Sequence, residues 1–243
     1  MRRASEIAKT MIEIRDLKKI YNGVTVVDVP GLVIEKGETI GLVGNNGAGK
    51  TTLFRMMLDL IRPDGGKVLI KGEEVASSEH WKEYSASYLD EGFLIDYLTP
   101  EEYFHFIGSL HNMNKAQVDS ELESYTDFFN GEILNRRKFI RGLSKGNQSK
   151  VGVVSCLLQH PEVLLLDEPF ANIDPSTQIR LKGMLKQFSM DRNKITMVSS
   201  HDLNHVTEVC ERILLMEKGK IIKDIQTNSN TLEELERYFS VMI

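Results

Sequence analysis

The chain has 243 residues, enough for one or two domains with a sizeable hydrophobic core. Hydrophobic residues at 41% and charged residues at 27% describe an ordinary globular chain, and a net charge of −5 gives no global basic field to recruit nucleic acid. Cys156 and Cys210 form neither a disulfide framework nor a metal-ligand spacing, and no apolar run approaches the ~18 residues of a membrane span.

In chain order, "MRRASEIAKTMIEIRDL" lacks the continuous apolar core of an export leader, and none is expected. "MIEIRDL" and part of "VTVVDVPGLVIEKG" alternate apolar and polar residues as strands do, with turns predicted at Asn22-Gly23 and Pro30-Gly31. "TIGLVG" is a short apolar strand entering a glycine-rich loop. "TTLFRMMLDLI" then has helical spacing, and "KVLIKGEEV" reads as one further strand. From about Phe93 to Lys150 the character is helical. Thr99 is placed to cap a helix, with Pro100 at its first position and Glu101 and Glu102 in its first turn; "KAQVDSELESYTDFF" continues at helical spacing. Beyond a helix-like run after "RGLSKG", apolar segments such as "EVLLLDEP" and "KITMVSS" alternate with helical ones. That pattern predicts a parallel sheet covered on both faces, with a helical block inserted into an α/β core.

"GNNGAGKTT" matches the pattern G-x-x-x-x-G-K-[ST], between an apolar strand and a helix as that motif requires. Gly44, Asn45, Asn46, Gly47, Ala48, Gly49, Lys50, Thr51 and Thr52 form the predicted phosphate loop. Its glycines let successive N–H groups face phosphate oxygens; Lys50 reaches the outer phosphates and the Thr51 hydroxyl ligates Mg²⁺. "VLLLDEP" is an apolar strand delivering Asp167 and Glu168 to a sheet edge. Asp167 is assigned to Mg²⁺ and Glu168 to polarising an attacking water. "MVSSHDLNH" repeats the arrangement and ends on His201, a hydrogen-bond donor toward a γ-phosphate. His201 and His205 also have the spacing of a zinc-protease helix, but Asp202 replaces the glutamate and no third ligand follows.

A second anion-binding signal lies in "RGLSKGNQSKVGVVS", where Ser144 and Gly146 open a helix about a hundred residues after the first phosphate loop. The basic stretch "NRRKFIRGLSKG" fits equally a solvated loop or a binding role.

Taken in this order, "GNNGAGKTT", "LSKGN", "VLLLDE" and the terminal histidine resemble the ATP-binding subunit of ABC transporters, from about Met11 to about Ile222. "LSKGN", Leu143, Ser144, Lys145, Gly146 and Asn147, is similar to the family's LSGGQ signature. The resemblance implies a P-loop NTPase with a RecA-like α/β core (about 1–92 and 151–222), an N-terminal antiparallel β subdomain, a helical signature subdomain (about 93–150) and a C-terminal helix (about 223–243). It implies an ATPase using ATP and Mg²⁺, paired as a homodimer or heterodimer with a second ATP-binding subunit. In such a pair the signature of one chain caps the γ-phosphate held by the other. It also implies a transmembrane permease partner at the inner face of the membrane, an export-type system, and no nucleic acid. Soluble relatives acting in translation or repair are the alternative; they carry two ATPase halves or long coiled coils that this chain lacks. By the same resemblance Tyr21 matches the aromatic that stacks on adenine, and Asp174 the D-loop aspartate at the dimer interface. The Q-loop glutamine is missing; Asp90 and Glu91 stand there, with Glu91 the better match. Phe93, Leu94, Ile95 and Tyr97 are the apolar candidates for the surface where the permease docks, with ordinary packing within the subdomain expected for at least half of them.

Overall fold

A computed structural model describes residues 9–89 and 91–240. Two sheets organise it. Strands β1 (Thr10–Tyr21), β2 (Val24–Glu35), β4 (Gly65–Ile70) and β5 (Glu73–Glu74) form an antiparallel sheet in the order β2-β1-β4-β5. Strands β3 (Thr39–Val43), β6 (Ser85–Tyr88), β7 (Val163–Asp167), β8 (Ile195–Ser200), β9 (Arg212–Glu217) and β10 (Lys220–Gln226) form the second, in the order β10-β9-β3-β8-β7-β6. Only the β9-β10 pair in it is antiparallel.

Strand β7 reads as an apolar run up to Asp167 because it faces two cores. In β7, Val163 and Leu165 enter one cluster with the antiparallel sheet, while Leu164 and Leu166 enter the other with the helices of the inserted block. Its side chains alternate across the sheet, and from Val163 to Leu166 all are apolar. Helix α1 (Lys50–Met57) lies in the first cluster through Leu53, Phe54, Met56 and Met57.

The inserted block contains α2 (Pro100–Leu110), α3 (Lys115–Glu123), α4 (Thr126–Phe129) and the start of α5 (Lys145–Leu157). Thr99 caps α2 as its sequence predicts: its hydroxyl accepts from Glu102 N–H, and the Glu102 carboxylate accepts from Thr99 N–H at 2.8 Å. Beyond it come α6 (Pro175–Phe188), α7 (Leu203–Val209) and α8 (Thr231–Ser240).

Several expectations are corrected. Pro30-Gly31 is no turn: β2 runs through it, because β2 is an edge strand and a proline there removes no ladder bond the sheet needs. The β1-β2 register runs unbroken from Arg15↔Gly31 to Leu17↔Val29, which sets Pro30 opposite Asp16 at φ 49°; the shift in β1 at this point lies on its other side, against β4, between Arg15 and Lys18. "KVLIKGEEV" is two strands, parted by a tight turn at Lys71-Gly72. The helical stretch after Lys115 breaks between Glu123 and Thr126. A boundary at residue 150 would cut α5, a continuous helix from Lys145 to Leu157. Residues 223–226 belong to β10, so the last helix begins at Thr231.

Candidate active site

The glycine-rich loop leaves β3 at the carboxyl edge of the parallel sheet and enters α1 at Gly49, whose φ is 106°. A Cβ at Gly49 would also meet the Val26 carbonyl and the Met216 side chain, so both conformation and space exclude other residues. The loop lines a cleft of about 250 Å³ with Val26, Gly47, Lys50, Thr51 and Glu168. Lys50 is buried and its Nζ donates to the Gly44 carbonyl at 2.6 Å, which draws the ammonium back over the loop. The same ammonium lies 3.4 Å from Glu168.

The neighbouring strand ends complete the site. Asp167 is buried at the end of β7, opposite Ser199 in the β7-β8 register. Thr51 Oγ1 donates to Asp167 Oδ2 at 2.5 Å, and Ser199 Oγ donates to Oδ1. Burial raises the Asp167 pKa above the usual carboxylate value, while the bonds from Ser199 and Thr51 pull it back.

Glu168 follows with φ 49°, a left-handed conformation that costs a non-glycine residue on the order of 1–3 kcal/mol. Its N–H offsets part of that cost by donating to both the Ser199 carbonyl at 3.2 Å and the Ser199 hydroxyl at 3.0 Å. The bend turns the Glu168 carboxylate out of the sheet edge, where it meets His201 Nδ1 at 2.9 Å. The His201 side chain remains 57% exposed, open to whatever approaches the loop.

Ser199 ties Asp167 to the Glu168 backbone, and sequence reasoning passed over it. The signal was the pair of serines just before His201, which becomes legible only once the two strands are aligned end to end.

The signature residues stand apart from this cleft. Ser144 caps α5 by accepting from Asn147 N–H at 3.3 Å, and both Ser144 and Lys145 are solvent exposed. Gly146 is buried, and a Cβ there would strike the Asn172 carbonyl. The helix start therefore packs directly on the turn that follows Glu168. Leu143 and Asn147 are half-buried. Asp174 caps α6, accepting from Thr177 N–H at 3.0 Å, Thr177 Oγ1 at 2.5 Å and Ser176 Oγ at 2.6 Å. These bonds hold its carboxyl far below the ordinary carboxylate range.

Tyr21 is 45% exposed at the end of β1, with Lys19 Nζ 5.1 Å from its ring centre, and it does not line the cleft. Asp90 lies outside the described residues; Glu91 opens a short 3-10 turn, Glu91–Phe93. Of the four apolar candidates, Phe93 and Tyr97 are exposed, while Leu94 is buried and Ile95 packs against the core, the division expected for half of them. The two histidines of the zinc-like spacing diverge, His201 toward Glu168 and His205 toward Phe170. Among the described residues no helix is long and apolar enough to cross a membrane.

Comparison with known proteins places this geometry among relatives. The sequence profile described as "ABC transporter" matches residues 28–171. The chain is 31% identical to the ABC transporter ATP-binding protein YhcH of Bacillus subtilis over 95% of its own length and 75% of that protein. It is 29% identical to the bacitracin transport ATP-binding protein BcrA of Enterococcus faecalis over 96% of its length and 74% of that protein. A solved ATP-binding subunit of an ABC transporter superposes with a TM-score of 0.80 at 26% identity, covering 95% of this chain and 94% of the other.

Proposed function

The chain belongs to the ABC transporter family of ATP-binding proteins, and from that premise we propose that it hydrolyses ATP to drive a membrane permease. One observation carries the reading. A phosphate-loop lysine, a carboxylate at a strand end and a histidine from the next strand converge: Lys50 3.4 Å and His201 2.9 Å from Glu168.

Each residue then has a task. The N–H groups of the loop from Gly44 to Thr52 and the Lys50 ammonium bind the phosphates. Thr51 and Asp167 offer a hydroxyl and a buried carboxylate in contact, two hard oxygen donors that fit Mg²⁺. When bound there, Mg²⁺ neutralises charge on the outer phosphates. Glu168 accepts the proton of the attacking water, and His201 orients Glu168 while its exposed face donates toward the γ-phosphate. Tyr21 stacks on adenine.

The signature supplies a second set of donors. Ser144 and the α5 N-terminus are exposed and separate from the chain's own cleft, so they serve a second ATP-binding subunit, with Asp174 near the same interface. Such an arrangement makes ATP the adhesive between two chains, identical or homologous. Exposed Phe93 and Leu60, lining a shallow groove that includes Trp81, offer the permease an apolar seat; Glu91 stands in sequence in place of the family's glutamine. The chain thereby works at the inner face of a membrane. Export is the direction we assign, on its likeness to single-domain subunits of bacterial export systems.

The test is hydrolysis of Mg-ATP by the purified chain. Phosphate release that disappears in Glu168→Gln while ATP still binds supports the reading; equal release by both proteins refutes it.

A further inference from the structure

The helix after His201 carries a second histidine for which the phosphate chemistry has no use. His205 lies one turn along α7 with its side chain 12% exposed. Its ring rests on that of Phe170, with centroids 4.6 Å apart and planes tilted by 32°. Phe170 is itself 3% exposed and sits two residues after Glu168.

Both partners are anchored. Ala171 N–H donates to the Glu168 carbonyl at 3.0 Å, and the Phe170 carbonyl accepts from Gln178 Nε2 at 3.1 Å, so Glu168 and Phe170 share one tight turn pinned to α6. On the other side Asp202 caps α7 by accepting from Asn204 N–H at 2.9 Å, so His201 and His205 move with one short helix. Two segments thus touch twice: Glu168 against His201 at one end, Phe170 against His205 at the other.

An aliphatic residue would fill the same volume without a polar penalty. Instead the imidazole keeps its Nδ1 buried with no hydrogen-bond partner among the described residues, and its Nε2 lies 3.4 Å from the Asp202 carboxylate. Burial lowers its pKa, helped by Lys182 and His201 and opposed by Asp202 and Glu208, so a neutral, flat ring faces Phe170 at neutral pH. Aromatic stacking is directional where aliphatic packing is not, and it fixes the angle between the two segments as well as their separation.

We infer that His205 is a positioning residue for hydrolysis: its stack on Phe170 sets the Glu168 turn against the His201 turn and so maintains the contact between those two side chains. This rests on the reading that Glu168 and His201 serve the attack of water. The loss of a fixed angle one helical turn away is felt at the reacting atoms, where small displacements are costly.

The experiment is steady-state hydrolysis and ATP binding for His205→Ala, His205→Phe, His205→Gln, Phe170→Ala and the double variant His205→Ala/Phe170→Ala, with Glu168→Gln as control. Removing the ring should lower kcat about tenfold while KM and the ATP dissociation constant stay within about twofold. His205→Phe, which keeps the stack, should recover most of the rate; His205→Gln should not. The double variant should be no slower than either alanine variant alone, because both remove one contact. Full kcat in His205→Ala, or losses that multiply in the double variant, would overturn the proposal. If the alanine variant does not fold, the contrast between His205→Phe and His205→Gln decides alone, equal rates for the two refuting the role. Hydrolysis that survives in Glu168→Gln sinks the underlying reading instead, and leaves the stacking result to be read by itself.

Discussion

Two helix N-termini in this molecule face phosphate in the function proposed above, and they are built differently. At α1 the donors close on themselves: Lys50 is buried, Thr51 is bonded to Asp167, and Glu168 and His201 complete a wall. At α5 the cap is satisfied by Ser144 within its own helix, and Ser144 and Lys145 are solvent exposed, outside the cleft at α1. On the proposed reading the α5 surface is completed by a second molecule. Substitutions at α1 should therefore damage nucleotide binding or chemistry in the isolated chain. Those at α5 should leave binding by the isolated chain intact and harm only turnover.

The largest effect is expected at Glu168. Glu168→Gln should reduce kcat by roughly 10²–10⁴-fold, the range for loss of a general base, with ATP affinity nearly unchanged in an equilibrium binding assay. Lys50→Ala should weaken ATP binding by about 100-fold, since it removes the buried cation assigned to the phosphates and leaves the Glu168 charge uncompensated on the cleft side; calorimetric titration reads this directly. Loss at Lys50 confined to kcat would break the contrast from the α1 side.

At α5 the effects are smaller. Ser144→Ala removes a helix cap, worth about 1 kcal/mol, and should be visible in a denaturant titration. It should lower kcat about tenfold, with ATP binding by the isolated chain unaltered. A matching loss of affinity would mean that Ser144 reaches the phosphate in its own chain.

The smallest effect concerns Asp174, next to this surface. Hydrogen bonds from Ser176 and Thr177 depress its pKa in the folded chain, so the stabilisation is complete above the unfolded carboxylate value of about 3.9. It is lost as pH falls from there toward the folded value. The stability difference between the parent and Asp174→Asn, measured by denaturant titration, should be constant from pH 7 to about 5 and shrink at lower pH. A difference that grew on acidification would contradict the capping geometry.

What was legible in the sequence follows the same division. "GNNGAGKTT" and "VLLLDEP" declare themselves because local chemistry and burial demand those residue types in order: glycine where φ is positive, apolar side chains where a strand faces two cores. The edge position of β2 was not legible, and without it Pro30-Gly31 looked like a turn; which strand is an edge depends on distant pairing. The roles of Ser199 and Phe170 were hidden for a similar reason. Each meets its partner across about thirty residues of chain, and no periodicity records such a meeting. That about half of Phe93, Leu94, Ile95 and Tyr97 would pack inward was legible, but which half was not: Leu94 and Ile95 join the core and Phe93 and Tyr97 stay outside.

The central claim is that ATP joins two incomplete halves. The most direct measurement is the mass in solution of Glu168→Gln, by light scattering, with and without Mg-ATP. The account predicts a monomer that becomes a dimer only with ATP, and that stays monomeric when Ser144 is also changed to arginine. A protein that binds ATP yet remains monomeric, or one that dimerises regardless of Ser144, would contradict it.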